Sequence, residues 1–183
     1  MQAGGGGRDV GGLRGGAIQR SATHKMLCDK VTQRQVALVQ FTKRRKHVGA
    51  WSHEPFGNDT ACDWSYGLLE TEDLSSIESA LDAVLDNDED YLDADLASEA
   101  IAAIEVLAKL QGKGTQIDSY TDEIDQWVKQ HPQQPSLSLL SKAKKVVERI
   151  QSEDSELLEL WEEAEESDAW KASLQQLAAA VST

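Results

Sequence analysis

Apolar residues recur at helical spacing along the chain from about residue 58 onward, and no segment shows a convincing strand pattern. The clearest stripe ends near Gly112 and Gly114, as a helix C-terminus does, and comprises Ala97, Ala100, Ile101, Ile104, Leu107 and Ala108. Two shorter stripes precede it, and their members are Ala61, Trp64, Leu68, Ile77, Ala80, Leu81, Val84 and Leu85. The spacing therefore predicts three successive helices between residues 58 and 112.

Polar residues at the stripe boundaries predict where the first two helices begin. Asn58 or Asp59 can N-cap the first helix, because a short acceptor side chain satisfies an unpaired backbone amide there. The run Ser75-Ser76-Ile77-Glu78 matches a capping box and predicts the second helix start.

Four further helices are predicted toward the C-terminus. A fourth opens at Ser119 or Thr121 and stops before His131-Pro132, and a fifth has Pro135 in its first turn. One more carries Leu157, Leu158, Trp161 and Ala164, and another starts at Ser167-Asp168, although these two could form one kinked helix. The prediction is an all-α fold, a compact array of five to seven short antiparallel amphipathic helices.

Charge divides the chain in two. Residues 1–47 carry a net charge of +8 and residues 48–183 carry −22, and eight of the 13 glycines fall in the first 16 residues. We therefore predict a basic, glycine-rich leader over residues 1–47 that is poorly ordered, and an acidic all-helical domain over residues 48–183.

The leader allows three interpretations. The cluster Lys43-Arg44-Arg45-Lys46 could bind nucleic acid, but no aromatic residues are interleaved with it and the acidic domain would repel phosphates. A transit peptide is a second interpretation, and the glycine content weakens it. We favour the third, in which residues 1–47 are upstream sequence joined by an early start assignment, since Val48 sits where a domain would begin.

Composition excludes several classes of protein. No run of residues approaches the roughly 18 to 20 apolar positions that span a bilayer, and no secretory signal is recognisable. The two cysteines, Cys28 and Cys62, are too few for a disulfide framework or a zinc knuckle. We expect a cytoplasmic protein without a metal or cofactor.

The segment that opens the domain is long and unusual in composition. Residues 48–64 read VGAWSHEPFGNDTACDW, and this resembles the opening of the bacterial domain-of-unknown-function 4259 family. The resemblance continues in Tyr91-Leu92-Asp93-Ala94, in the acidic run of residues 154–163 and in Trp170, and it covers residues 48–182. Ser52-His53 departs from the family pattern. The resemblance aligns Val48 with the family's initiator methionine and implies no established activity.

The same opening segment is the candidate site, and it admits two interpretations. The structural one is an aromatic loop folded over the helices, with Asn58 and Asp59 capping the first of them. The functional one is a binding site for a small molecule or metal, formed by Trp51, His53, Phe56, Asn58, Asp59, Asp63 and Trp64.

Acidic runs elsewhere in the chain indicate a charged surface rather than a metal-binding or catalytic site. Residues 86–97 fail as a calcium loop, because Tyr91 stands at the sixth position and Ala97 at the twelfth. Glutamates surround the Leu157–Trp161 stripe, either as a solvated helix face or as a surface for a basic partner. No nucleophile elbow, phosphate loop or zinc motif is visible.

The sequence therefore predicts a non-enzymatic interaction domain that binds a basic protein partner, in the manner of an antitoxin or immunity protein. The alternative is a small-molecule or metal-binding domain centred on Trp51–Trp64. Binding to a membrane is not expected, and nucleic acid is a weak third hypothesis.

Overall fold

The computed structural model describes residues 50, 52–87 and 91–182, together with Met1. Apart from Met1, the predicted leader lies outside the described residues, as do Trp51 and residues 88–90 in the middle of the acidic run. Within that part the chain forms seven α-helices and two isolated β-bridges, without a β-strand. The predicted all-α fold is confirmed.

The seven helices follow the predicted stripes closely. They are α1 Asp59–Leu69, α2 Ser75–Leu85, α3 Ala94–Leu110, α4 Asp122–Gln130, α5 Leu137–Ile150, α6 Glu156–Glu163 and α7 Ser167–Ala180. Helices α6 and α7 are separate, because Glu165 between them adopts a left-handed φ of 60°. This left-handed residue ends the helical geometry of α6 before α7 begins.

Helix α3 forms the centre of the fold and contacts all six other helices. Every residue from Ala100 to Ala108 is buried, which places α3 in the core on all sides. Its many alanines present little bulk, so neighbouring helices can approach its axis closely. The sequence stripe predicted one buried face, and the structure extends that burial around the whole helix.

The ends of α1 and α3 carry the predicted signals. The Asn58 side chain accepts a hydrogen bond of 2.7 Å from the Ala61 amide, as a helix N-cap does. At the end of α3, Gly112 has a φ of 72°, and the Lys113 amide donates to the Ala108 carbonyl at 2.9 Å. This bond satisfies one of the last carbonyls of the helix.

Two predicted helix starts were wrong. The capping box fails because Ser75 lies inside α2, whose N-cap is Leu74, while Asp73 accepts the Ser75 amide at 2.9 Å and its hydroxyl at 2.5 Å. Pro135 does not occupy the first turn of α5. Ser136 is the N-cap there, and its hydroxyl accepts from the Leu139 amide at 3.1 Å.

A charged side chain of α3 lies in the core. Glu105 is fully buried in α3, and its carboxylate accepts hydrogen bonds from the Thr115 amide and hydroxyl and from the Gln116 amide. Lys109, which lies 3.8 Å from it, gives partial compensation for the charge. The carboxylate thus holds the loop that connects α3 to α4 against the helix.

The structure describes no helix that combines the length and the apolar composition needed to cross a bilayer.

Two glycines give opposite expectations for the same substitution. A Cβ at Gly57 would lie 2.5 Å from the Ser52 carbonyl oxygen, whereas a Cβ at Gly67 in α1 would contact nothing within 4 Å. We expect Gly57→Ala to destabilise the fold by about 1–3 kcal/mol through the backbone clash. Gly67→Ala should stabilise it by up to about 1 kcal/mol through helix propensity. Urea denaturation measures both, and equal shifts in the same direction would contradict this geometry.

The buried carboxylate predicts a pH dependence of stability. Burial raises the pKa of Glu105 above its ordinary value of 4.5, so the folded state holds this proton more firmly than the unfolded state. Its contribution to stability is therefore lost as the pH rises from 4.5 through the folded pKa. Urea denaturation from mildly acidic to alkaline pH should show this loss in the wild type, relative to Glu105→Gln. Parallel curves for the two proteins would refute it.

Candidate functional site

The opening segment of the domain forms a tight loop that packs on the core. The Gly57 amide donates to the Glu54 carbonyl at 2.9 Å, and Phe56 is fully buried. The Phe56 amide donates to the Gln116 side chain at 2.8 Å, which ties the loop to the segment held by Glu105. Phe56 and Asn58 thus occupy structural positions, one in the core and one at the start of α1.

His53 lies against the two C-terminal helices. Its Nε2 is 2.9 Å from a carboxylate oxygen of Glu166, and its ring centroid is 4.8 Å from that of Trp161. Trp161 in turn stacks on Trp170 at 6.3 Å. This side of the opening segment therefore joins an aromatic cluster around the junction of α6 and α7, and the depression beside it has a volume of about 20 Å³.

Asp59 and Asp63 are exposed on consecutive turns of α1. Across the described part of the chain, no three His, Cys, Asp or Glu side chains group as metal ligands would. Cys62 lies between them in sequence and is buried, and its thiol lies 3.9 Å from the Phe56 carbonyl oxygen. The two aspartates accordingly contribute surface charge beside the loop.

Trp64 faces a different part of the molecule from His53. It is half-buried and lines an open groove of about 330 Å³ between α1, α2 and α3. We call this the Trp64 groove, and the residues that shape it include Trp64, Gly67, Ser75, Ser76, Ser79 and Glu99. The predicted site residues are therefore divided between two places, while Trp51 lies outside the described residues.

Glu99 gives the Trp64 groove a negative wall. Burial raises the pKa of the Glu99 carboxyl, and the nearby Asp95 raises that pKa further. Asp95 stands one turn earlier on α3 and accepts a hydrogen bond of 2.8 Å from the Thr60 hydroxyl. The side of α3 that faces the groove therefore carries two adjacent carboxyl groups.

A second charged surface surrounds Tyr91, just before α3. We call it the Tyr91 surface, and it comprises Tyr91, Glu156, Glu159 and Glu163. The Tyr91 hydroxyl donates to Glu159 at 2.7 Å, and the Tyr91 side chain is 42% exposed. The hydrogen bond and the negative field of the three glutamates raise the pKa of Tyr91 to about 12.

Backbone pairing holds the Tyr91 surface in place. The Leu92 amide donates to the Asp154 carbonyl at 2.8 Å, and the Glu156 amide donates back to the Leu92 carbonyl at 3.0 Å. The Glu156 carboxylate also accepts the Ala94 amide at 3.0 Å, in the first turn of α3. Two segments more than 60 residues apart thus present one exposed aromatic ring among carboxylates.

Sequence reasoning did not single out Tyr91 or Glu99 as site residues. The glutamates around Leu157–Trp161 were predicted as a possible surface for a basic partner, but Tyr91 joins them through a contact 68 residues away. The spacing of Asp95 and Glu99 at i and i+4 could have indicated a shared helix face.

The comparisons with known proteins identify a family. The family model described as "Domain of unknown function (DUF4259)" matches residues 49–173. No curated protein and no solved structure matches the chain significantly.

The Tyr91 surface can be tested by titration. Because Glu159 is the largest cause of the raised pKa of Tyr91, Glu159→Gln should lower that pKa from about 12 toward the ordinary value of 10. The Tyr91 Cζ chemical shift, followed by NMR against pH, measures this directly. Glu72→Gln, an exposed charge change outside the surface, should leave the titration unchanged. A wild-type midpoint near 10 would contradict the hydrogen bond between Tyr91 and Glu159.

Proposed function

We propose that this chain, which belongs to the DUF4259 family, is a non-enzymatic interaction domain that binds a basic protein partner through the Tyr91 surface. An antitoxin or immunity role, in which the partner is neutralised by binding, is the concrete version of this proposal. The observation that carries it is an exposed tyrosine whose hydroxyl donates to Glu159 at 2.7 Å, beside the carboxylates of Glu156 and Glu163.

A tyrosine ring among carboxylates suits a partner rich in Lys or Arg. The ring offers its negative face to a cation, and the carboxylates accept hydrogen bonds from ammonium or guanidinium groups. Tyrosine is also enriched among residues that dominate binding energies at interfaces, because it buries a large area at low entropic cost. The Tyr91 surface therefore combines an anchor with complementary charge.

The charge of the domain supports the same proposal over a longer range. Residues 48–183 carry a net charge of −22, and several of their few cations already have acidic partners. Lys109 pairs with Asp125 at 2.7 Å, Lys142 with Asp82 at 2.5 Å, and Lys171 with Glu162 at 3.3 Å. A strongly negative surface steers a basic partner toward it and raises the association rate.

The backbone pairing beneath Tyr91 lowers the entropic cost of binding. Because Leu92 is bonded to the segment that precedes α6, the aromatic ring and the glutamates are positioned before a partner arrives. A preorganised surface loses less conformational entropy on binding.

The test compares two charge-matched variants of the tagged full chain in its own cells. Glu159→Gln/Glu163→Gln removes two charges from the Tyr91 surface, and Glu72→Gln/Glu148→Gln removes two exposed charges elsewhere. We expect the wild type and the control variant to retain a basic protein in stoichiometric amounts, and the surface variant to lose it.

Binding measurements with the purified chain and the recovered partner then give the size of the effect on affinity. Tyr91→Ala should weaken binding of the recovered partner by about 2 kcal/mol, or roughly thirtyfold, if Tyr91 is the anchor. Added salt should slow association of the wild type more than that of the surface variant. Recovery of no stoichiometric partner, or equal loss in both charge variants, would defeat the proposal.

A further inference from the structure

The Trp64 groove is the larger of the two concave features described above, and the proposed function does not use it. Its volume of about 330 Å³ is enough for a side chain or a small molecule. Trp64 from α1 forms one wall, serines 75, 76 and 79 from α2 line another, and Glu99 from α3 supplies a carboxyl group. An aromatic ring, hydroxyl groups and an acid thus line one space.

The electrostatics of the groove favour a cation. Glu99 is partly removed from water, and its neighbour Asp95 adds a second negative charge on the same face of α3. Charged groups in such a setting are stabilised by an opposite charge brought between them. The tryptophan ring adds to this preference, because its face attracts cations more strongly than the other aromatic rings do.

The N-terminus of α2 could argue for an anion instead, since helix N-termini attract negative groups. The N-terminus of α2, however, is already occupied by the carboxylate of Asp73. Asp73 accepts hydrogen bonds from both the Ser75 amide and the Ser75 hydroxyl, and the Ser75 hydrogen bonds lower the pKa of Asp73 below its ordinary value. An incoming anion would meet the Asp73 carboxylate as well as Glu99.

The groove and the Tyr91 surface both contact the N-terminal part of α3. The Ala94 amide is bonded to Glu156 of that surface, and Glu99 follows Ala94 by five residues on α3, about 7.5 Å along the helix axis. Asp95 lies between them in sequence and is exposed. The Tyr91 surface and the groove are therefore both built on the first turns of α3, which carry the exposed Asp95.

We propose that the Trp64 groove binds the guanidinium group of an arginine side chain, stacked on Trp64, paired with Glu99 and bonded to the serine hydroxyls of α2. Arginine suits it better than lysine, because a planar fork of five donors can stack on the ring and reach several acceptors together. We take the arginine to come from a basic protein partner docked on the Tyr91 surface, and this part of the inference rests on the proposed function. The preference of the groove for a guanidinium group is independent of the proposed function.

The experiment titrates the full chain with N-acetyl-arginine amide and follows the indole N–H of Trp64 by NMR. We expect a saturable shift of this signal in the millimolar range. N-acetyl-citrulline amide, which has nearly the same shape without the charge, should produce no saturable shift. Equal responses to the two compounds would overturn the proposal, because the groove would then recognise shape without charge.

Variants locate the binding in the groove. Glu99→Gln should weaken binding of N-acetyl-arginine amide about tenfold, since it removes the charged acceptor. Gly67→Met should abolish binding, because Gly67 faces open space at the groove and a long side chain there would fill it without disturbing the core. Glu148→Gln, an exposed change on α5, should bind as the wild type does. Binding that survives both groove variants would overturn the proposal.

The outcomes separate this inference from the proposed function. If a partner binds through the Tyr91 surface while the arginine probe fails to shift Trp64, the groove proposal is wrong and the function stands. If the probe binds as described and no basic partner is recovered, the function fails and the guanidinium site stands. If both hold, Glu99→Gln should also weaken binding of the purified partner about tenfold. An unchanged affinity for the partner would refute arginine anchoring in the groove.

Discussion

The fold depends on one helix that has no side facing water along much of its length. From Ala100 to Ala108, α3 is buried all round, so it must be covered by other helices in every direction. A helix of this kind cannot be stable alone in water and gains its stability from packing. Its alanines make the cover tight, because a side chain of one methyl group lets a neighbouring backbone approach.

The same constraint explains the polar network inside the protein. A carboxylate at Glu105 can be tolerated in the core because the amides of Thr115 and Gln116 and the Thr115 hydroxyl donate to it. Gln116 then receives the Phe56 amide, so the loop before α1 is fixed to the loop after α3. The N-terminal end of α3, by contrast, reaches the surface with Asp93 and Asp95 exposed, and both candidate surfaces are arranged around that end.

Much of the fold could be predicted from sequence, because amphipathic periodicity is a local property. The stripes located all seven described helices, and Gly112 marked the end of α3 as expected. The errors were also local, where two residues competed for one role. At α2 the acceptor is Asp73 before the helix and the predicted Ser75 lies inside it, and at α5 Ser136 follows Pro135 as the cap.

The candidate site was harder to predict because it depends on contacts between distant segments. His53 meets Glu166 across 113 residues, and Tyr91 meets Glu159 across 68 residues. No spacing rule brings such residues together. Trp64 was singled out for its aromatic ring, but its neighbours Ser79 and Glu99 come from two other helices whose packing only the structure gives. Glu105 was missed for the same reason, since a charge in an apolar stripe is unremarkable until its surroundings are known.

The enclosure of α3 has a consequence for how the chain acquires its structure. The helices that seal α3 include α1 before it and α7, which lies more than 50 residues after its last turn. A nascent chain that has been made only as far as α5 therefore leaves part of α3, its most apolar helix, exposed to solvent. Because the enclosing contacts are remote in sequence, their entropic cost falls on the chain as a whole, and assembly is expected to be all-or-none.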